Sequence, residues 1–155
     1  MSIILGVDPG LQHTGWGVIQ SVGSKLSFIG CGTIHSNSKS PMAERLSVLS
    51  AGLTRVIETY QPEKFAIEET FVNKNAQSSL KLGHARGALI LTAGQHGLPV
   101  AEYAALKVKK TVTGVGRAEK SQILAMLKIL LPQAKPDSED AADALAVAIC
   151  HAHNC

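Results

Sequence analysis

The architecture is decided by residues 2–10, which read Ser2-Ile3-Ile4-Leu5-Gly6-Val7-Asp8-Pro9-Gly10. A short apolar run that ends in turn-forming residues is typical of a buried β-strand, so we expect a strand that ends at Asp8. Residues 14–21 and 25–35 predict two further strands, joined by a turn around Gly23. Three successive strands with short links indicate an antiparallel meander.

The rest of the chain alternates helical and strand patterns. A helix is predicted to begin at Ser40-Pro41, with serine suited to the cap and proline to the first turn, and to end at Gln61-Pro62. A short strand then ends at Glu68, and Asn75 is suited to cap the next helix. The remaining predictions are a strand at 98–103, a basic loop at 107–117, and helices at 118–131 and 139–151. This order predicts one α/β domain over residues 1–155, a five-stranded mixed sheet flanked by helices.

Composition and cysteine content limit the classes of protein to which this chain could belong. The longest apolar segments fall short of the roughly 18 residues that a membrane span requires, and the N-terminus lacks the basic lead-in of a secretory signal. Cys31, Cys150 and Cys155 are odd in number, which indicates free thiols in a reducing compartment. We interpret the tail at 150–155 as a helix end rather than a zinc site, since only two of its residues share a helical face. We therefore expect a soluble cytoplasmic protein.

Charge is distributed unevenly along the chain. Residues 71–135 hold ten Lys and Arg residues but only two acids, whereas residues 136–155 hold four acids and no Lys or Arg. A basic middle third is a candidate surface for a polyanion such as nucleic acid. A solvated helix face would explain the same charges equally well.

Four acids are candidates for a functional site. Asp8 and Glu68 end two predicted strands, and strand ends are where sites collect in α/β sheets. Asp140 and Asp143 are three residues apart in an otherwise apolar helix, so both project from one face. Each has a simpler explanation: Asp8 suits the turn at Pro9-Gly10, and Asp140 suits a helix start. Taken together, four converging acids would repel one another unless a cation neutralised them.

A hard divalent cation is the neutraliser that these residues imply. Mg²⁺, with Mn²⁺ as a substitute, prefers oxygen ligands, and the set contains no cysteine. Two such ions about 3.5–4 Å apart would form a clamp for phosphoryl chemistry. Carboxylates beside a basic surface suit a phosphodiester substrate.

Blocks of sequence that extend over nearly the whole chain resemble the RuvC-type Holliday junction resolvases. The first blocks are Ile4-Leu5-Gly6-Val7-Asp8-Pro9-Gly10, Thr14-Gly15-Trp16-Gly17 and Phe65-Ala66-Ile67-Glu68. They are followed by Phe71, Lys74-Asn75-Ala76 and Leu80-Lys81-Leu82-Gly83-His84-Ala85-Arg86-Gly87. The last are Val108-Lys109-Lys110-Thr111-Val112, Ala118-Glu119-Lys120-Ser121-Gln122 and Asp140-Ala141-Ala142-Asp143-Ala144-Leu145-Ala146. An isolated Asp-Pro-Gly is a weak signal, but this ordered set is specific.

The resemblance implies a ribonuclease-H-like fold and a homodimer that resolves recombination intermediates in bacterial DNA repair, with a branch-migration motor as partner. It implies that Asp8, Glu68, Asp140 and Asp143 are metal-binding catalytic acids and that Lys120 lies in the active site. Phe71 matches an aromatic placed at the opened junction centre, where base stacking is worth about 1–3 kcal/mol; as a simpler alternative it is a core side chain. With Phe71, the predicted DNA-binding residues are Lys74, Lys81, Arg86, Lys109, Lys110, Arg117 and Lys120.

Two features depart from the family pattern, and three rival functions remain open. Leu11-Gln12-His13 stands where many members have a serine and an arginine, and Trp16 stands where tyrosine is usual. These changes would lie beside the acids without altering them. The rivals are an actin-like phosphotransferase, for which 155 residues are too few, a non-catalytic junction-binding protein, and a nuclease for RNA–DNA hybrids. The small residues around Gly83 and Gly87 suit either a dimer interface or packing against the sheet.

Overall fold

The computed structural model describes residues 1–69 and 75–155, which form a five-stranded sheet with helices on both faces. The strands are β1 (Ser2–Asp8), β2 (His13–Val22), β3 (Lys25–His35), β4 (Lys64–Glu69) and β5 (Val100–Ala104). The helices are α1 (Met42–Tyr60), α2 (Ala76–Gln95), α3 (Ala105–Thr113), α4 (Lys120–Leu130) and α5 (Glu139–Asn154). The strand order is β3-β2-β1-β4-β5; β1, β2 and β3 pair antiparallel, and β4 pairs parallel with both β1 and β5. The predicted meander and mixed sheet are confirmed.

The sheet separates two aliphatic cores. Side chains alternate between the faces of a strand, so Leu5 and Val7 of β1 pack with α1 and α2, whereas Ile4 packs with α3, α4 and α5. On β4, Phe65 and Ile67 face α1 and α2, and Ala66 faces α5. By the same alternation, Asp8 and Glu68 lie on the α5 face, at the end of each strand.

The predicted loop at 107–117 is wrong, because residues 105–113 form α3. Val108 and Val112 are one helical turn apart and both buried, so they anchor the segment while Lys107 and Lys110 remain exposed. Gly114 ends the helix in a left-handed conformation with a φ of 84°. The lysine-rich composition, typical of a loop, is that of the solvent face of a short amphipathic helix.

Other helix ends agree with the sequence or correct it in detail. Asn75 caps α2, since its side chain accepts hydrogen bonds from the amides of Gln77 and Ser78. The predicted serine cap of α1 is wrong: Pro41 occupies the cap position and makes no side-chain cap hydrogen bond. The tail at 150–154 belongs to α5, and all three cysteines are free thiols, as expected. Within the described ranges, no helix combines the length and apolar character needed to cross a membrane.

Gly83 and Gly87 of α2 do not pack against the sheet. A Cβ added at either glycine would meet no described atom within 4 Å. Both border an open groove of about 460 Å³ between α1 and α2, which includes Leu46 and Leu91. Of the two explanations offered by the sequence, sheet packing is therefore wrong.

Candidate active site

Two of the four acids lie side by side at the edge of the sheet that is formed by the C-terminal ends of β1 and β4. β1 and β4 pair parallel, with Val7 opposite Ile67, so the next residues on the same edge are Asp8 and Glu68. A hydrogen bond between their carboxyl groups acts to raise the pKa of Asp8 and to lower that of Glu68. The following turn is closed by Thr14, whose hydroxyl donates to the Gly10 carbonyl at 2.6 Å and accepts from the Gly10 amide at 3.2 Å. The turn after β1 is therefore closed by Thr14. The side chain of Asp8 instead forms its hydrogen bond with Glu68.

The other two acids are brought to this edge by α5, which lies directly on the sheet. A Cβ added to Gly6 would lie 2.3 Å from the Ala144 carbonyl oxygen, and one added to Gly15 would lie 1.9 Å from the Asp140 carbonyl oxygen. Glycine is thus required at both positions for α5 to approach so closely. Asp140 and Asp143 lie at the start of this helix, where they interact electrostatically with Asp8. The convergence predicted from the sequence is what the fold produces.

Burial and mutual repulsion make the cluster costly to ionise. The pKa of Asp8 is raised to about 9, first by burial and then by the charges of Glu68, Asp143 and Asp140. Burial also raises the pKa of Glu68, against the favourable effects of the Asp8 hydrogen bond and of Lys109. The pKa of Asp143 is raised to about 6, again mainly by burial, while Lys120 opposes the rise. A cation bound among these groups would take over the neutralising role of the proton that burial and the neighbouring charges favour on Asp8.

The donor chemistry fits a hard divalent ion, although the side chains do not form a ready cage. All four acids offer only carboxylate oxygens, the ligands preferred by Mg²⁺ and Mn²⁺. Across residues 1–69 and 75–155, no group of three or more His, Cys, Asp or Glu side chains stands in metal-holding geometry. The Asp8–Glu68 hydrogen bond would have to open for both carboxylates to face an ion.

Two of the predicted cations lie next to the acids. Lys109 of α3 acts on Glu68, and Lys120, at the start of α4, acts on Asp143. The Lys120 ammonium also forms a 2.7 Å ion pair with the Glu139 carboxylate, and both side chains are largely exposed. The hydrogen bond to Glu139 is the main cause of the raised pKa of Lys120, so the ammonium stays charged beside the cluster.

Comparison with known proteins agrees with this arrangement. A family model described as crossover junction endodeoxyribonuclease RuvC matches residues 4–151. Proteins of that name from Xanthobacter autotrophicus and Azorhizobium caulinodans are 60% and 58% identical to this chain, over 97% of it and 89% of each relative. The chain belongs to the RuvC family. The predicted resemblance is confirmed, as are the endonuclease function and the hydrolase class that it implied.

Solved structures confirm the fold of this chain. RuvC from T. thermophilus in complex with its Holliday junction substrate superposes with a TM-score of 0.92 at 31% identity, covering 98% of this chain and 93% of that one. The yeast mitochondrial Holliday junction resolvase has a TM-score of 0.69 at 13% identity, covering 96% and 77% of the two chains. The second likeness shows the fold alone. The predicted ribonuclease-H-like fold is confirmed, and the actin-like rival is excluded by family membership.

The other predicted DNA contacts divide into three groups. Lys81, Lys110 and Arg117 are exposed on α2, on α3 and in the α3–α4 connection. Arg86 is held within the protein: its Nε donates to the Glu68 carbonyl at 3.3 Å, and its guanidinium pairs with the Glu102 carboxylate. Phe71 and Lys74 lie outside the described residues. The DNA contacts remain predictions, and for Arg86 the contacts indicate that it also supports the Glu68 end of β4.

Sequence reasoning missed the residues that hold α5, the helix that carries Asp140 and Asp143, in place. Ser138 caps α5 by accepting a 3.0 Å hydrogen bond from the Ala141 amide. Its hydroxyl also forms a 2.7 Å hydrogen bond with the hydroxyl of Thr33 on β3. A serine directly before Glu139-Asp140 is a recognisable cap signal. The contact with Thr33, by contrast, joins residues 105 positions apart, which no local pattern indicates.

Proposed function

We propose that this chain resolves four-way DNA junctions by paired, symmetric, metal-dependent nicks that leave 5′-phosphate and 3′-hydroxyl ends. The observation that carries the proposal is the convergence of Asp8, Glu68, Asp140 and Asp143 at one sheet edge. It is supported by the family, and by the junction substrate in the similar T. thermophilus complex. The reaction would serve homologous recombination and DNA repair in the bacterial cytoplasm, with a branch-migration motor as a further partner.

Each group at the site has a distinct part in this proposal. Asp8, Glu68, Asp140 and Asp143 would hold two Mg²⁺ ions, for which Mn²⁺ could substitute. Bound divalent ions supply an acidified water and neutralise charge on the leaving oxygen. Asp8 and Asp143 orient the attack on the phosphodiester, Lys109 favours the ionised form of Glu68, and Lys120 stabilises charge on the scissile phosphate. Lys81, Lys110 and Arg117, together with Phe71, Lys74 and Arg86, would bind the junction arms and centre.

The substrate test is cleavage of a synthetic four-way junction beside a linear duplex and an RNA–DNA hybrid, each with Mg²⁺, Mn²⁺ or EDTA. We expect symmetric nicks in the junction alone, dependent on the metal. Junction binding without cleavage in either metal would support the non-catalytic rival. Preferential cutting of the hybrid would support a different nuclease on the same fold.

A second copy of the chain is the proposed occupant of the groove between α1 and α2. The exposed side chains of Leu80 and Leu91, 62% and 60% exposed, lie along the same side of α2 as Gly83 and Gly87. A two-fold dimer would direct two sites at two strands of a two-fold junction. Burial of one leucine contributes about 1.5–3 kcal/mol, and in a two-fold interface each leucine counts twice.

Leu91→Glu should therefore weaken the dimer about a hundredfold or more, because two buried leucines are replaced by charges. Sedimentation equilibrium would measure the dissociation constant, and paired cutting should be lost with it. Ile129→Glu is the matched control, since Ile129 is similarly exposed but lies on α4. An unchanged dissociation constant for Leu91→Glu would place the interface elsewhere.

The raised pKa values predict how the stability of the metal-free protein depends on pH. Asp8 and Asp143 have pKa values of about 9 and about 6 in the folded protein, above the ordinary value of 3.8. Their contribution to stability is complete below the ordinary pKa and is lost as pH rises, first through about 6 and then through about 9. With EDTA, Asp8→Asn should therefore be more stable than wild type near pH 9, by about 1–3 kcal/mol.

Thermal melts of wild type and Asp8→Asn in EDTA and in Mg²⁺ would measure this effect. Mg²⁺ should stabilise the wild type most at the alkaline end, where the carboxylates are ionised, and should stabilise Asp8→Asn much less. Equal melting temperatures for the two proteins in EDTA near pH 9 would contradict the buried, crowded environment assigned to Asp8.

A further inference from the structure

The start of α5 carries two of the four acids, and its Ala141 and Ala142 side chains are buried. Terminal helical turns fray unless their free amides are capped. The ion pair of Lys120 with Glu139 joins side chains that are 62% and 72% exposed, and such surface pairs contribute little. The contact between Gly15 and the Asp140 carbonyl fixes how near the helix lies to the sheet, but it is van der Waals packing. The Ser138 hydroxyl therefore adds directional polar contacts to the apolar packing of this first turn.

One hydroxyl joins this helix cap to the sheet. Ser138 Oγ accepts from the Ala141 amide at 3.0 Å and lies 2.7 Å from Thr33 Oγ1. Both side chains are half-buried, so water competes with the pair less than it would at the surface. The cap is thereby tied to a fixed point on β3 rather than only to its own helix.

That fixed point is in the same row of the sheet as Asp8. Asp8 is paired with Gly15 across β1 and β2, and Gly15 is paired with Thr33 across β2 and β3. Paired residues project to the same face, so Thr33, Gly15 and Asp8 form a row beneath the first turn of α5. At one end Thr33 holds Ser138, in the middle Gly15 contacts Asp140, and at the other end Asp8 meets Asp140 and Asp143.

We propose that Thr33 and Ser138 are positioning residues, whose hydrogen bond sets α5 against the sheet row that carries Asp8 and so fixes the geometry of the cation site. Neither hydroxyl binds the cation; they act through Asp140 and Asp143. The metal part of this inference rests on the proposed function. Mutation of outer residues that orient metal ligands typically lowers metal affinity or activity about 10–100-fold.

The sharpest variant is Thr33→Val, which keeps the shape of the side chain and removes only its hydroxyl. Thr33→Ser restores the hydroxyl, and Thr59→Val removes a hydroxyl from an exposed position on α1 as the matched control. Calorimetric titration of the DNA-free protein with Mn²⁺ measures metal affinity independently of cleavage. We expect Thr33→Val to weaken Mn²⁺ binding about tenfold, while Thr33→Ser and Thr59→Val stay close to wild type.

Amide hydrogen exchange of the metal-free protein tests the same hydrogen bond independently of any ion. In Thr33→Val, the amides of residues 141–143 should exchange about tenfold faster, the equivalent of one net hydrogen bond. Ser138→Ala should speed exchange at least as much, because it also removes the cap on the Ala141 amide. The double variant should add little to Ser138→Ala, because the Thr33 hydrogen bond is already lost in that single variant.

The hydrogen-exchange and Mn²⁺-binding measurements distinguish failure of this inference from failure of the proposed metal function. Unchanged exchange at 141–143 in Thr33→Val would overturn the inference, as would unchanged Mn²⁺ affinity in a wild type that binds Mn²⁺. A lowered melting temperature with neither effect would leave only a structural role and would overturn it too. If wild type bound no Mn²⁺, the proposed metal function would fail, and the exchange comparison would still decide whether Thr33 holds the helix.

Discussion

Asp8→Asn is expected to reduce junction cleavage about a thousandfold or more while leaving junction binding nearly intact. The charges of the other three acids, Glu68, Asp140 and Asp143, all act on Asp8 and raise its pKa. An asparagine has nearly the same shape but carries no charge with which to hold a cation. Metal-derived charge stabilisation is worth several kcal/mol, and about 4 kcal/mol corresponds to a thousandfold in rate.

Single-turnover cleavage of a four-way junction and gel-shift binding of the same junction would measure the two effects. Asp137→Asn is the matched control, because Asp137 is an exposed acid just before α5 whose carboxylate is not among the charges that act on Asp8. That variant should cut at close to the wild-type rate. Full cleavage by Asp8→Asn in Mg²⁺ would refute the role of the acid cluster, whereas loss of binding and cleavage together would indicate that the fold was damaged.

Asp8 is also a residue that sequence alone could find, for a physical reason. An apolar run that ends in an acid before Pro9-Gly10 places that acid at a strand end, and the three-residue spacing of Asp140 and Asp143 places both on one helical face. These are short-range signals, with periods set by the geometry of strands and helices. The mixed sheet followed in the same way, since each strand carried its own boundary signals.

Two features of the structure could not be predicted from short stretches of sequence. The assignment of 107–117 to a loop followed lysine and glycine content, whereas two valines one turn apart, buried by α5 and α4, made most of the segment helical. The support of the acids depends on contacts between distant residues: Thr33 with Ser138, Arg86 with the Glu68 carbonyl, and Gly15 with Asp140. The sequence predicted which groups are candidates for the chemistry, while only the folded chain shows what holds them in place.

Gly15→Ala is the substitution that should show most directly how the position of Asp140 and Asp143 depends on the contact between β2 and α5. The new Cβ would lie 1.9 Å from the Asp140 carbonyl oxygen and 2.9 Å from the Ala141 amide nitrogen. Both contacts are with backbone, which cannot rotate away as a side chain can, so α5 must move off the sheet. Overpacking usually costs about 1–3 kcal/mol and sometimes more, and a backbone clash in the first turn of α5 belongs at or above the upper end.

A loss of about 3 kcal/mol would lower the melting temperature of a chain of this size by about 6–12 °C. Gly94→Ala is the matched control: its added Cβ meets no described atom within 4 Å, and alanine is favoured over glycine in a helix by about 1 kcal/mol. That variant should melt at or above the wild-type temperature. Because the displaced turn carries Asp140 and Asp143, Gly15→Ala should also lose cleavage at temperatures where it remains folded. A Gly15→Ala protein with wild-type stability and cleavage would mean that α5 does not rest on β2 as closely as these distances require, and the route by which the helix delivers its acids to Asp8 would have to be different.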